Sequence, residues 1–286
     1  MIGRLCIIGV GLIGGSLGHA LRKVSYCGEI VGSGRTPGHL QQAVELGVID
    51  RFETDPARAV AGADMVLVSV PLGAMETVFR AIDGQLADHA VLTDAGSAKG
   101  SVIEAARRAF GTVPGCFVPG HPIAGTEQSG IAAAFPELYR GRRVILTPLE
   151  HTDSGALRRV HAMWEAAGAT VTEMDPAHHD AVLAATSHLP HVLAFTLVDS
   201  LARLGDSEEI FAYAAGGFRD FTRIASSDPV MWRDICLANA DAIQRMIGHF
   251  IEDLQGLGRA VHAHDGTRLL ELFSAAKAAR DRFVDK

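Results

Sequence analysis

Hydrophobic positions in the first half of the chain form short runs that alternate with stretches of helical spacing. The first run covers residues 5–8, an amphipathic stretch continues to residue 23, and a second helical stretch covers 38–46. Further apolar runs lie at 30–31, 65–70, 91–93, 116–118, 144–146 and 170–172. Strand-length runs separated by helices predict βαβ units around a buried parallel sheet.

The pattern changes near Asp175 and Pro176. From about residue 177 to 283 the apolar positions repeat with helical spacing, and strand-like runs are almost absent. We therefore predict two domains, residues 1–175 with the sheet and residues 176–286 built of helices. The apolar faces within 192–201 and 243–254 are extensive enough to form either internal core or a homodimer interface, and we favour the homodimer.

Composition and charge narrow the class of protein. A chain with 48% hydrophobic and 21% charged residues is typical of a globular protein. The 26 basic and 33 acidic residues give a net charge of −7 without a basic run, which argues against a nucleic-acid partner. No stretch reaches the roughly 18 apolar residues of a membrane span. The four cysteines share no metal-ligand spacing and indicate reduced thiols in the cytoplasm, with disulfide pairing as the alternative.

A glycine-rich loop follows the first predicted strand and leads into the first predicted helix. Its glycines, Gly9, Gly11 and Gly14, allow a tight turn and a close approach of a pyrophosphate to the start of the helix. This context predicts a Rossmann-like α/β domain that binds a dinucleotide, although an ordinary glycine-rich turn would have the same spacing. The expected cofactor contacts around this loop are Gly9, Gly11, Leu12, Ile13, Gly14, Val70 and Pro71.

The residue at the end of the second strand selects between nicotinamide nucleotides. NAD-binding domains place an acidic residue about 20 positions past the loop, where it binds the ribose hydroxyls. Here that position is Gly34, and its neighbours Ser33, Arg35 and Thr36 offer one cation and two hydroxyls to a 2′-phosphate. We therefore predict NADP as the favoured cofactor, bound by Ser33, Arg35 and Thr36. NAD bound without the usual acid is the alternative.

Four further motifs occur in a fixed order. They are DAGSAKG at 94–100, GHPIAGTE at 120–127, TSHLPH at 186–191 and GGFRDFTR at 216–223, the last continuing to Trp232. Together they resemble the prephenate/arogenate dehydrogenase family of tyrosine biosynthesis, and the cyclohexadienyl dehydrogenases of proteobacteria in particular. The resemblance implies NAD(P)-dependent oxidative decarboxylation of prephenate, arogenate or both. Those relatives usually carry an aspartate where this chain has Gly34, so their preference for NAD does not transfer.

Two residues of the first domain are candidates for catalysis. His121 follows the run 116–118, at the end of a predicted strand, and a near-neutral imidazole can accept the proton of a substrate hydroxyl. A buried structural histidine is the alternative. The resemblance implies that Ser97 contacts both this hydroxyl and His121, whereas its position before a helix would also suit an N-cap. Lys99 is expected to be a solvated residue of the first helical turn, with a supporting role in the site as the alternative.

The second domain contributes candidates for substrate binding. His188 and His191 share a helix face, and Pro190 between them requires a helix start or a kink. A third ligand motif is absent from the sequence, so we predict no metal. The resemblance implies that Ser187 and His191 contact the substrate side chain. His188 is included as a further contact, with a structural role as its alternative.

One arginine and one tryptophan complete the predicted site. A guanidinium can hold both oxygens of the ring carboxylate, and the resemblance selects Arg223 over Arg219 for this role. The carboxylates expected to pair with Arg223 are Asp180, Asp220 and Glu127, each with an alternative as surface charge. Trp232 is predicted to line the pocket, although a tryptophan in a helical domain is often only core.

Two other functions fit part of this pattern. A β-hydroxyacid dehydrogenase has a similar plan but is expected to carry a lysine in the first long helix of the second domain, where this chain has Ser187, His188 and His191. A non-catalytic sensor of nicotinamide nucleotides would not need His121, Ser97 and Arg223 together. A relative that acts on an amino-substituted prephenate is hardly distinguished by sequence. Prephenate/arogenate dehydrogenation remains the leading hypothesis.

Overall fold

The structure, a computed structural model, describes residues 1–284. The chain divides into two compact units, Met1–Ala240 and Asp241–Lys286, and each is described by itself. The strands are β1 (Ile2–Ile8), β2 (Cys27–Ser33), β3 (Arg51–Glu53), β4 (Met65–Val68), β5 (Val91–Asp94), β6 (Phe117–Val118), β7 (Gly120–Pro122), β8 (Arg143–Leu146) and β9 (Thr170–Glu173).

Helices connect and follow these strands. They are α1 (Leu12–Lys23), α2 (Pro37–Glu45), α3 (Pro56–Ala59), α4 (Met75–Ile82), α5 (Lys99–Phe110), α6 (Ser154–Ala166), α7 (Pro176–Leu183), α8 (Leu189–Ala202), α9 (Ser207–Ala212), α10 (Gly216–Thr222), α11 (Pro229–Ala238), α12 (Ala240–His262) and α13 (Gly266–Val284). Short 3₁₀ turns cover Leu72–Ala74, Ile131–Ala133 and Arg223–Ser226, and a π turn covers Ala184–His188.

The first six strands form one parallel sheet in the order β3-β2-β1-β4-β5-β6. Successive residues of β1 point to opposite faces, so Leu5 and Ile7 join one hydrophobic core while Cys6 and Ile8 join the other. Burial on both faces explains why these strands are continuous apolar runs. The predicted Rossmann-like domain with a parallel sheet is confirmed, and so is the helical character of the chain after β9.

The last two predicted strands do not join this sheet, which corrects the expectation of a single series. The runs 144–146 and 170–172 lie in β8 and β9, and these form a separate three-stranded sheet with β7. β7 is antiparallel to β8, and β8 is parallel to β9. The chain leaves β6 at Pro119 and enters β7 at once, so His121 lies in the middle of a second strand and not just after the first. Apolar runs alone do not reveal which sheet a strand joins.

The predicted domain boundary falls between β9 and α7. There Asp175 caps α7, because its carboxylate accepts hydrogen bonds from the N–H groups of Ala177 and His178 at 2.9 and 3.0 Å. The compact units divide later, at Ala240. A division into domains at residues 175 and 176 stays a prediction.

One helical stretch, Pro176–Ala202, is long and apolar enough to span a membrane by length and composition, with a mean hydropathy of 1.5 over its best window. It was not expected from the apolar runs because polar residues interrupt it. His179 and His188 within it are fully buried, and Asp180 accepts hydrogen bonds from the N–H groups of α5. These three residues pack within the folded unit, and 28% of the apolar window is buried there.

Candidate active site

The glycine loop lies at the carboxyl end of β1 and is shaped by close contacts. Gly9 has φ +98°, and a Cβ atom there would lie 2.3 Å from the carbonyl oxygen of Ser69. A Cβ atom on Gly14 would lie 2.5 Å from the carbonyl oxygen of Gly9, whereas Gly11 has open space on the corresponding side. Gly11 also offers no side chain to cap α1, so the first N–H groups of the helix stay available to an anion. The loop therefore fits a pyrophosphate.

The other predicted cofactor contacts are placed around this loop with one exception. Leu12 and Ile13 form the first turn of α1, and the Val70 side chain closely approaches Gly9, with Pro71 following it at the surface. Arg35 and Thr36 are exposed after β2, as a contact to a 2′-phosphate requires. Ser33 is fully buried, and its hydroxyl is enclosed without a partner among the described residues. Its predicted contact to the phosphate is therefore not supported by this geometry.

The predicted catalytic histidine is one end of a chain of hydrogen bonds. Nδ1 of His121 lies 2.9 Å from Nε2 of His179, and Nδ1 of His179 lies 2.8 Å from Oδ1 of Asp180. His179 is fully buried, and His121 keeps 8% of its surface exposed. We call His121, His179 and Asp180 the imidazole chain. Burial is the main cause that holds the pKa of His121 well below its usual range, and a positive charge on Lys99, or on His179 or His188 when these rings are protonated, lowers it further.

A buried ion pair supports the strand that carries His121. Nζ of Lys99 donates hydrogen bonds of 2.5 Å to Oδ2 of Asp94 and to the carbonyl oxygen of Gly120, while Oδ1 of Asp94 accepts from the N–H of Gly120. Lys99 and Asp94 are both fully buried. Burial lowers the pKa of Lys99, and the Asp94 carboxylate opposes that shift. The prediction of a solvated Lys99 is wrong, because the carboxylate and the carbonyl that bind its ammonium come together only in the folded chain.

A second cluster, here called the aromatic group, contains His188, His191 and Trp232. The rings of His191 and Trp232 are stacked with centroids 3.7 Å apart, and His188 meets Trp232 edge-on at 6.2 Å. Nε2 of His188 and Nε1 of Trp232 are enclosed without partners among the described residues. Nδ1 of His191 donates to the carbonyl oxygen of Ser187. The structure thus brings together four of the predicted substrate-binding residues.

Asn239 connects the two clusters. Its Nδ2 donates 2.8 Å to the carbonyl oxygen of Asp180 and lies 3.2 Å from Nδ1 of His188. Pro190 lies in the first turn of α8, directly after the π turn, which is the helix start that its ring requires. The sequence interpretation missed Asn239 and His179. Their only signal was a polar side chain within an apolar helical pattern.

The remaining predicted residues lie apart from these clusters or have different partners. Arg223 is exposed and pairs with Glu127, which confirms one of its three expected partners. Asp180 belongs to the imidazole chain instead of pairing with Arg223, and Asp220 is exposed. Ser97 is half-buried and does not cap α5, since Ala98 holds the N-cap position. Among residues 1–284, His, Cys, Asp and Glu side chains form no cluster of three that could hold a metal.

Comparisons with known proteins agree with this arrangement. A sequence profile described as "Prephenate dehydrogenase, nucleotide-binding domain" matches residues 17–173, and one described as "Prephenate dehydrogenase, dimerization domain" matches residues 175–275. The chain is 40% identical to a cyclohexadienyl dehydrogenase of Zymomonas mobilis, over 97% of this chain and 94% of that protein. It is 35% identical to a prephenate dehydrogenase of Bacillus subtilis, over 97% of this chain and 75% of that protein.

Solved structures give the same result. The prephenate dehydrogenase of Aquifex aeolicus, crystallised with hydroxyphenyl propionate and NAD⁺, is 37% identical and superposes with a TM-score of 0.92 over 99% of both chains. The arogenate dehydrogenase of Synechocystis is 26% identical, with a TM-score of 0.82 over 98% of this chain and 99% of that one. With both domains matched by sequence and the whole chain matched by structure, this protein belongs to the prephenate dehydrogenase family.

Proposed function

We propose that the protein catalyses the oxidative decarboxylation of prephenate, arogenate or both, to 4-hydroxyphenylpyruvate or tyrosine, in tyrosine biosynthesis. The observation that carries this proposal is the position of His121. The N–H of Gly120 binds the Asp94 carboxylate at the end of β5, so His121 lies at the carboxyl edge of the parallel sheet, where the glycine loop also lies. A dinucleotide and a base at one edge can act on the same carbon.

The chemistry divides between cofactor and protein. A bound nicotinamide nucleotide accepts the hydride from the ring carbon that carries the hydroxyl. His121 accepts the hydroxyl proton as the ketone develops, and its low pKa keeps the ring neutral and ready to do so. The ring carboxylate leaves as CO₂, its bonding electrons complete the aromatic ring, and the phenolate oxygen takes a proton back.

We further propose that Ser187, His188, His191, Trp232 and Arg223 bind the substrate, with Ser97 beside the hydroxyl. The aromatic group presents two enclosed N–H groups without partners, and a buried donor of this kind stabilises a site only when a ligand accepts from it. Arg223 would hold the ring carboxylate while Glu127 fixes its guanidinium.

NADP is the cofactor that we propose in preference to NAD. Gly34 removes the carboxylate that would repel a 2′-phosphate, and the exposed Arg35 and Thr36 follow it directly in the segment between β2 and α2. Because Ser33 is enclosed, this proposal rests on Arg35 and Thr36 alone.

We propose that the enzyme is a homodimer in the cytoplasm. Its four cysteines are free thiols, as in a reducing compartment. The matched dimerization profile and the exposed apolar side chains of α12 and α13 support a paired chain.

Initial rates with prephenate and arogenate, each crossed against NADP and NAD, test the activity directly through the absorbance of the reduced nucleotide. We expect turnover with at least one substrate and a higher kcat/KM with NADP. The His121→Asn variant should lose about 10²–10⁴-fold in kcat and keep its nucleotide affinity. Absence of reduced nucleotide with both substrates would refute the proposed function.

A further inference from the structure

We propose that His179, oriented by Asp180, is a positioning residue that fixes the tautomer of His121 and receives its Nδ1 proton while Nε2 holds the proton of the substrate hydroxyl. The transfer of the Nδ1 proton during turnover rests on the proposed function, whereas the fixation of the tautomer does not. The tautomer of His121 depends only on the hydrogen bonds of the imidazole chain in the resting protein.

The order of donors along the imidazole chain follows from its last member. A carboxylate can only accept, so Nδ1 of His179 carries the proton that is donated to Oδ1 of Asp180 over 2.8 Å. In a neutral His179 ring, Nε2 is then an acceptor. Nδ1 of His121, 2.9 Å away, must therefore be the donor, which leaves Nε2 of His121 as a bare lone pair.

The free nitrogen of His121 is the one that a base needs. Nε2 of His121 forms no hydrogen bond with the described residues. It does not belong to the fully enclosed polar atoms that lack a partner, so the atom itself is accessible. The exposed 8% of the residue is the route by which a ligand reaches the ring. The opposite tautomer would present an N–H group to the substrate hydroxyl and could not accept its proton.

Asp180 is held as a carboxylate by its own partners. Its two oxygens accept hydrogen bonds of 2.8 Å from the backbone N–H groups of Lys99 and Gly100 at the start of α5, in addition to the bond from His179. Burial alone would raise the pKa of Asp180, but these hydrogen bonds hold it below its usual range. The end of the chain is therefore a fixed negative charge.

Charges from every neighbouring element act on this chain. Lys99 of α5 and His188 of the π turn oppose a proton on His121, while Asp94 of β5 neutralises Lys99 at 2.5 Å. A positive charge confined to His121 is thus disfavoured by burial and by its neighbours. Moving the Nδ1 proton to His179 places that charge beside Asp180, where the carboxylate stabilises it.

The proton balance of the step is complete. The hydroxyl proton moves to Nε2 of His121 as the hydride leaves the same carbon, and the Nδ1 proton moves to Nε2 of His179. When loss of CO₂ yields the phenolate, both transfers reverse and the oxygen is protonated again. The pair of rings holds one proton temporarily and consumes none.

Nitrogen NMR of the full-length protein labelled with ¹⁵N-histidine tests the tautomer without turnover. Long-range correlations distinguish a ring nitrogen that carries hydrogen from one that does not, and the His121→Asn variant identifies the signals of His121. We expect Nδ1 of His121 to be protonated and Nε2 to be bare. A proton on Nε2 in the resting protein would overturn the proposal even if the enzyme is active.

Two substitutions separate tautomer fixation from proton transfer. His179→Gln supplies a carbonyl that accepts from Nδ1 but cannot take its proton, so kcat should fall about tenfold with the tautomer kept. His179→Leu loses both functions, and kcat should fall about 10²-fold with the tautomer mixed, the scale expected when a base is misdirected. Substrate and nucleotide KM values should change by less than about threefold in both variants.

The pH dependence of kcat/KM distinguishes a positioning role of His179 from a purely structural one, because only the positioning role predicts a shift of the acid limb. Loss of the acceptor removes stabilisation of the protonated His121, so the acid limb of kcat/KM should shift to lower pH in His179→Leu and stay near the wild-type position in His179→Gln. His178→Gln is the matched control, since His178 is the exposed neighbour on the same helix. Equal losses in the two His179 variants with an unmoved acid limb would overturn the proposal. Absence of turnover in the wild type would instead refute the proposed function and leave the NMR result to decide on the tautomer.

Discussion

At the scale of single residues, Lys99 shows how much a charged side chain depends on its surroundings. Its ammonium is fully enclosed and has two oxygen partners at 2.5 Å, one charged and one neutral. Each partner belongs to a different strand, so the side chain ties the end of β5 to the start of β7. The same geometry makes the fold sensitive to substitution of either partner, because removal of one charge leaves the other buried without a counter-charge.

Lys99→Met should therefore destabilise the fold strongly. We expect the free energy of unfolding to fall by about 3–5 kcal/mol, as for other buried pairs that lose one partner. Chemical denaturation monitored by circular dichroism measures this change. Lys23→Met is the matched control, since Lys23 pairs with Glu137 on the surface and should cost less than about 1 kcal/mol. A similar small loss in both variants would contradict the buried pair.

The proposed preference for NADP also rests on single residues. A Cβ atom on Gly34 would meet Leu40 at 3.5 Å, an ordinary contact, so the backbone accepts an aspartate there. Gly34→Asp combined with Arg35→Leu should move the preference towards NAD, because it adds the acid that binds ribose hydroxyls and removes the cation for the 2′-phosphate. The ratio of kcat/KM for NADP and NAD measures the change. Arg107→Leu, an exposed arginine in the last turn of α5, is the control and should leave the ratio unchanged.

At the scale of elements, the π turn at Ala184–His188 sets the direction of the aromatic group. His179 and His188 are nine positions apart, which in a regular α-helix would put them on roughly opposite faces. The extra residue of a π turn rotates the second half, and Asn239 contacts both Asp180 and His188. π turns are frequent at functional sites. This one places the imidazole chain and the aromatic group where both contact Asn239.

Deletion of Ala185 tests this geometry. Removing one residue should restore regular helix, rotate α8 by roughly 100° relative to α7 and separate His188 from Asn239. We expect far-ultraviolet circular dichroism to change little and kcat to fall by about 10²-fold or more, the scale of a misplaced binding group. Deletion of Gly205 in the loop after α8 is the control and should retain most of the activity. Equal activity in the two deletions would mean that the π turn has no functional role.

The elements also show what a single sequence could predict. The parallel sheet and the glycine loop were predictable, because apolar runs and glycine spacing are local patterns. The second sheet was not, because its strand β7 has only three residues, too few to define a pairing, and the apolar runs of β8 and β9 do not reveal which sheet they join. The candidate residue His121 came from a motif, whereas its partner His179 is 58 positions away in sequence and becomes its neighbour only through tertiary structure.

At the scale of the whole molecule, buried histidines link stability to pH. Burial lowers the pKa of His121, of His191 and of His188, the last to about 4. The unfolded chain therefore binds protons at higher pH than the folded one. Their contribution to stability is complete above about pH 6.5 and is lost as the pH falls towards the folded values.

We expect the free energy of unfolding to decrease steadily between pH 6.5 and 4. A lowering of the His188 pKa to about 4 corresponds to about 3 kcal/mol over this window. Urea titrations at several pH values measure the slope, which should become shallower in His188→Gln. The exposed His39 provides a control, and His39→Gln should leave the slope as in the wild type. A slope unaffected by His188→Gln would show that this ring does not link folding to protons.

The assembly state belongs to the same scale. Leu270 and Phe273 of α13 are 69% and 54% exposed, an unusual amount for large apolar side chains one turn apart. If α13 contributes to the proposed homodimer, Leu270→Glu with Phe273→Glu should convert the dimer to a monomer in sedimentation experiments, because the charges would be buried without partners. Leu46→Glu, at an exposed leucine after α2, should leave the mass unchanged. A monomeric wild type would refute the homodimer itself.

The enclosed ammonium of Lys99 has one more consequence. Lys23 and Lys277 are largely exposed, with 63% and 77% of their side chains accessible, so we expect them to react with acylating reagents in the folded protein. Lys99 can react only when β5 and β7 separate. The rate of Lys99 acylation, followed by mass spectrometry, therefore measures how often β5 and β7 separate in the folded protein. The measurement needs no added label or mutation. A ligand that holds the two strands together should slow the reaction.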